Sequence, residues 1–234
     1  MQTTSSLYKQ IFQNPTHKKE VCVDIAGEQY GENRIVSLTT SGGIFSEPDI
    51  GNCASRQIDL VLRNPGAIPR QAKMKVFVRL VSGALASEWI QKGEFFISTR
   101  KKDKRTGKLT IHGFDAMLRA SDVWLTPEYD TENWPMSQTA AVGDIAFRMG
   151  VPVDNRTWTN LKASFPVDYP VGENGDLTMT DILEGIAIAN AGNWIISDKG
   201  ALLFLGLGDI PEETNYLVTE YGAAITMGGV KIIV

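Results

Sequence analysis

Apolar and polar residues alternate with a period of two through most of the first 118 positions. In Val21-Cys22-Val23-Asp24-Ile25 and Ile58-Asp59-Leu60-Val61-Leu62 the apolar set can face a core while Asp24 and Asp59 face water. Met74-Lys75-Val76-Phe77-Val78-Arg79-Leu80 repeats the pattern, with Lys75 and Arg79 on one face and Phe77 between them. Ile35-Val36-Ser37-Leu38 follows the turn-prone Gly31-Glu32-Asn33, and Gly27 closes the first run. Glu94 to Thr99 and Leu109 to Phe114 flank a short polar stretch and predict a long hairpin. Several short strands separated by Gly, Pro and Asn turns predict a sandwich or a barrel.

After Leu118 the period changes. Residues 124–135, rich in Trp, Pro and acids, read as a connecting loop. Val142, Ile145, Ala146 and Met149 then form the stripe of an amphipathic helix, with Ser137 or Thr139 at its start and Gly150 and Pro152 at its end. A second helix opens at Thr178 or Thr180 and buries Ile182, Leu183, Ile186 and Ala189, with Gly192 expected as its left-handed terminator. Trp194-Ile195-Ile196 and Leu202 to Leu205, joined by Asp198-Lys199-Gly200, predict a hairpin. Residues 135–207 thus read as two helices on a short sheet. Tyr216-Leu217-Val218 and Val230 to Val234 return to strands, and the chain stops inside an apolar strand, which suggests that partner strands come from elsewhere. No repeat of 20–50 residues and no low-complexity segment is visible.

Composition narrows the function classes. With 234 residues, 43% hydrophobic and 21% charged, the chain can bury roughly 70–75% of its unfolded surface. A net charge of −4 gives no sign of a nucleic-acid partner. The one basic run, Lys101-Lys102-Asp103-Lys104-Arg105, reads as a solvated hairpin tip in preference to a phosphate site. Two cysteines, Cys22 and Cys53, are too few for a disulfide scaffold and suit a reducing cytoplasm. The polar Met1 to Ser6 holds no signal core, and no apolar run reaches the ~20 residues of a membrane span.

Reactive constellations are scarce. His17 stands in a polar segment taken as mobile, and His112 lies in a strand, where a satisfied or surface histidine is the favoured reading. There is no Cys/His cluster, no nucleophile elbow, no phosphate loop, and Gly206-Leu207-Gly208 reads as a turn. Hence no catalytic, cofactor or metal residue is assigned. The best carboxylate cluster is Glu128, Asp130 and Glu132, near Trp124 and Trp134, which could stack on a sugar. Solvated loop acids remain the favoured reading of it. Asn155-Arg156-Thr157 matches a glycosylation acceptor by chance.

Three ordered segments resemble the tail-hub family of phages and prophages: Ile50 to Leu60, Glu88 to Arg100, and Leu109 to Leu118 with its Phe-Asp-Ala-Met-Leu closure. The likeness extends to baseplate hubs of contractile tails, to type VI secretion VgrG proteins, and to the N-terminal part of tail-associated proteins. It implies a mainly β chain with an α+β insert: an antiparallel hub barrel over 1–123, a small two-helix α/β domain over 124–209, and the start of a second barrel over 210–234. It implies a non-enzymatic, trimeric baseplate or tail-tip hub joining tail rings to a spike or fibre. Expected partners are further copies in a homotrimer, a distal tail ring protein and a tape-measure or spike protein, with neither nucleic acid nor membrane. The expected location is the virion tail, after synthesis in the host cytoplasm. Relatives continue into a full second barrel, so a fragment is expected. Phe45, Trp89, Phe95 and Phe96 are possible interface aromatics, with core packing the favoured reading. Two alternatives stand beside the hub: a carbohydrate-binding or wall-degrading tail module using the Trp124–Trp134 acidic loop, and an effector carrier of the type VI kind.

Overall fold

The alternating segments do pair into hairpins in a computed structural model, which describes residues 4–42, 50–124, 134–162, 164–168, 171–172, 175–207, 226–227 and 230–231. In chain order the elements are α1 (Ser6–Phe12), β1 (Lys18–Ile25), β2 (Glu28–Tyr30), β3 (Ile35–Gly42), β4 (Cys53–Ala54), β5 (Arg56–Arg63), β6 (Lys73–Ser82), β7 (Leu85–Ala86), β8 (Ile90–Lys102) and β9 (Lys108–Phe114). A 3-10 turn (Ala116–Ser121) leads to β10 (Met136–Ser137), α2 (Gln138–Met149), α3 (Asn155–Asn160), β11 (Pro166–Val167), β12 (Val171–Gly172), β13 (Gly175–Asp176), α4 (Met179–Ala189), β14 (Gly192–Ile196) and β15 (Leu202–Gly206). A final pair, β16 (Thr226–Met227) and β17 (Val230–Lys231), is antiparallel. Tyr216 to Val218, expected as a strand, lies outside the described residues.

One antiparallel sheet dominates, in the order β2-β1-β6-β8-β9-β5-β3, with β7 attached to β6. Its two end strands, β2 and β3, are consecutive in the chain and joined by residues 31–34. Five Cα steps span at most ~19 Å, whereas seven flat strands would set their ends ~29 Å apart. The sheet must therefore curl. Ile35 N–H donates to Gly31 C=O at 3.0 Å, which shortens the connection further. Inside the curl lie Val23, Ile58, Leu60, Leu62, Met74 and Ile111, none more than 0% exposed. Among the described residues no ladder joins β2 to β3, so the expected barrel is met only as a mainly β fold with a curled sheet open between its end strands.

The second half folds as a three-stranded sheet, β15-β14-β4, under α2 and α4. Strand β4 comes from early in the chain and pairs parallel with β14, Trp194 opposite Cys53. Both helices begin where their caps dictate. Ser137 Oγ accepts from Ala140 N–H, and Thr178 and Asp181 form a reciprocal capping box. Gly150, at φ 70°, ends α2 as expected. The helix-terminating role given to Gly192 is corrected: Ala191 takes the left-handed backbone (φ 51°), and Gly192 opens β14. A Cβ there would lie 2.3 Å from both Leu205 O and Phe204 Cζ, so glycine permits close strand approach.

Two helices escaped the sequence reading. α1 is capped by Ser5, whose backbone and hydroxyl donate to Glu88, and Ile11 buries against the sheet. His17 follows it, with its Nδ1 2.6 Å from Asn14 O and its ring 5.7 Å from that of Phe12. α3 is one and a half turns capped by Asp154. It closes the edge of β15. Phe204 N–H donates to Thr157 Oγ1, and Asp154 N–H donates to Leu202 C=O. Thr157 is 0% exposed and stands in for a neighbouring strand.

Candidate interaction surfaces

The two sheets meet at Arg56, the first residue of β5. Its guanidinium donates to Asp198 Oδ1 at 2.8 Å and to the carbonyls of Ile196 at 2.8 Å and Ser197 at 3.2 Å, all in the β14–β15 hairpin. Its Nε faces Asp115 Oδ2 at 3.4 Å. Asp115 also caps the 3-10 turn through Met117 N–H and accepts from Arg56 N–H and Ser55 Oγ. Burial pushes the Asp115 carboxyl above its ordinary range, while these donors pull it back. Beside this knot, Arg119 stacks 3.9 Å over Phe96 and donates to Met149 C=O at the end of α2. Lys73, 2.7 Å from Glu94, also lies 5.6 Å from the Phe96 ring centre, and the Glu94 carboxylate approaches Gly200. These contacts lock the sheets together. Arg56 and Asp115 both fall in segments that carry the resemblance, but nothing in the sequence paired them, because their partners lie far along the chain.

Residues singled out by sequence scatter. Trp124 is 0% exposed, its indole N–H donates to Asp144, and its ring packs edge-on against Trp134 at 5.3 Å. It is a core residue, unavailable to stack on a sugar. Glu128, Asp130, Glu132 and Phe45 lie outside the described residues. Of the remaining aromatics, Phe95 is core at 1% exposure, Phe96 belongs to the joint, and Trp89 is 41% exposed with Arg79 4.5 Å above its ring. His112 faces Asp59 across β9 and β5 at 2.8 Å. Both cysteines are free, and burial lifts each thiol, that of Cys53 to about 12. Among the described residues no group of three metal-ligating side chains converges, and no helix is long and apolar enough to cross a membrane.

What remains are surfaces. Among the described residues β3 pairs only with β5, and its stretch Ser37-Leu38-Thr39-Thr40-Ser41 carries no charge, leaving an open edge able to accept another strand. A shallow groove of about 340 Å³ runs between Phe165, Asp168, Ile182 and Gly185. Phe165, 63% exposed, lines this groove, and Ile188, 64% exposed, lies on α4 itself. Charge is also unevenly placed: the β8–β9 tip is basic, and the start of α4 is acidic.

No family model and no curated protein matches the chain. Solved structures do. The 43 kDa tail protein of prophage MuSo2 from Shewanella oneidensis superposes with a TM-score of 0.51 at 13% identity, over 81% of this chain and 56% of that one. A tail protein from Neisseria meningitidis gives 0.51 at 16% identity, over 80% and 51%. This chain spans about half the length of those proteins. Its fold is similar to that of these tail proteins.

Proposed function

We propose that the chain is a structural, non-catalytic part of a bacteriophage or prophage tail, the portion of a trimeric baseplate or tail-tip hub that joins tail rings to a spike or fibre. The observation carrying this reading is that the superposition on tail proteins runs over four fifths of the chain, more than either the curled sheet or the small helical unit could supply alone. The geometry favours a scaffold: an ion-paired joint fixes the two sheets, and an uncharged strand edge and apolar groove remain on the outside. In the assembled tail the curled sheet would complete a barrel and three copies would form a collar. The partners are then a distal tail ring protein and a tape-measure or spike protein, and the product is a virion component. The wall-degrading alternative gains no observation, since Trp124 is buried.

Co-expression with the ring protein encoded in the same tail cluster tests the reading. A stable complex containing three copies of this chain is expected, with no release of soluble fragments from peptidoglycan. Peptidoglycan cleavage abolished by Glu128→Gln or Asp130→Asn would replace the scaffold by a hydrolase.

A further inference from the structure

We propose that the basic tip of the β8–β9 hairpin in one copy docks on the acidic face at the start of α4 in the next, making self-association head-to-tail and charge-coded. This rests on the self-assembly in the reading above and names the surfaces that would perform it.

The tip is built from Lys101, Lys102, Lys104, Arg105 and Lys108, with Arg63 of β5 directly opposite Lys108. All six are exposed, and none forms an ion pair among the described residues. The one acid, Asp103, is committed to the turn, accepting from Arg105 N–H and Thr106 Oγ1. A like-charge pair across two strands costs stability, and among the described residues no ion pair offsets it. With a net charge of −4 overall and about five positive charges on this tip, about nine net negative charges lie elsewhere.

The complement sits in the small unit. Asp122 lies where Met179 N–H meets its carbonyl, Asp168 and Asp181 line one groove, and Glu184 follows a turn later on α4. Asp122, Asp168 and Asp181 are exposed, and none of the four is ion-paired among the described residues. Among the described residues no ion pair joins tip and face inside one molecule. Phe96 is tied to Arg119, three residues before Asp122, and six strand residues carry the tip ~20 Å beyond it. That exceeds the ~8 Å screening length at physiological salt. Two different patches pairing between copies form a heterologous contact, which closes into a ring if its rotation allows.

Sedimentation equilibrium of this 234-residue chain tests the idea. The association constant should fall about tenfold or more between about 50 and about 500 mM salt. A tip variant, Lys101→Glu with Lys104→Glu and Arg105→Glu, and a face variant, Asp122→Lys with Asp168→Lys, should each weaken association by a similar factor. Combined, the five changes leave a tip of about −1 against a face near neutral, so the two losses should not add, and the combined variant should associate no more weakly than the tip variant. A combined loss of association free energy equal to the sum of the two separate losses overturns the proposal, as does association indifferent to salt. Either result leaves tail assembly standing if the ring-protein complex forms. A wild-type chain that stays monomeric also overturns it, and tip-dependent retention of duplex DNA would reassign the tip to nucleic acid.

Discussion

The curled sheet and the small α/β unit solve the same problem, a sheet with edges, in opposite ways. The small unit closes its edge with its own chain: Thr157, fully buried, and Asp154 bond to β15 as a fourth strand would. The curled sheet leaves β3 bare along eight residues, with pairing on one side only among the described residues. An edge capped from within stabilises a unit that stands alone, whereas an open uncharged edge is tolerable where another chain covers it. The difference separates what holds this molecule together from what it offers to others.

The sharpest way to break the comparison is to cut the joint between the two regions. Arg56→Ala leaves Asp115 buried without its cation and should cost ~3–5 kcal/mol. Urea unfolding followed by both tryptophan fluorescence and circular dichroism should show the transition move, and a mutant as stable as wild type would deny the joint its role. Next comes Gly192→Ala. Its new methyl would press on Leu205 O and Phe204, so a loss of ~1–3 kcal/mol is expected in the same assay, confined to the small unit.

Thr157→Val keeps the shape and removes the hydroxyl that accepts from Phe204 N–H, leaving a buried donor unpaired at a cost of ~1–3 kcal/mol. The matching change on the open edge, Thr40→Lys, should alter stability by no more than ~0.5 kcal/mol. Equal effects from the two would erase the distinction between closed and open edges.

The smallest effect is a pH slope. The folded Asp115 carboxyl is held above its ordinary 3.8, chiefly by burial. The stability it contributes is therefore full below pH 3.8 and is lost as pH rises through the raised folded value. The stability of wild type minus that of Asp115→Asn should accordingly decline upward from pH 3.8 and then level off. A gap that widens instead would mean that the donors around Asp115 outweigh its desolvation.

Much of the fold was legible because its signals are local. Alternation at Arg56–Arg63 and Lys73–Ser82 matches the burial of those strands residue by residue, and the caps Ser137 and Thr178 act on N–H groups three positions away. α1 and α3 were missed for the same reason, since seven and six residues are too short for a helical stripe to show. Trp124 was read as able to stack on a sugar because only its distant partner Asp144 reveals that it is core.

By itself, then, the amino-acid order determined where the longer strands and the two longer helices lie, since periodicity and capping depend on neighbours within a few residues. Only the tertiary structure decided that β2 and β3 end up at opposite ends of one curled sheet, that Cys53 and Ala54 join a strand some 140 positions later, and that Arg56 and Asp115 become a joint. Those pairings depend on the geometry of burial, in which residues remote along the chain compete for the same dry space. A charge or an aromatic ring shows in the sequence, but which neighbour satisfies it does not.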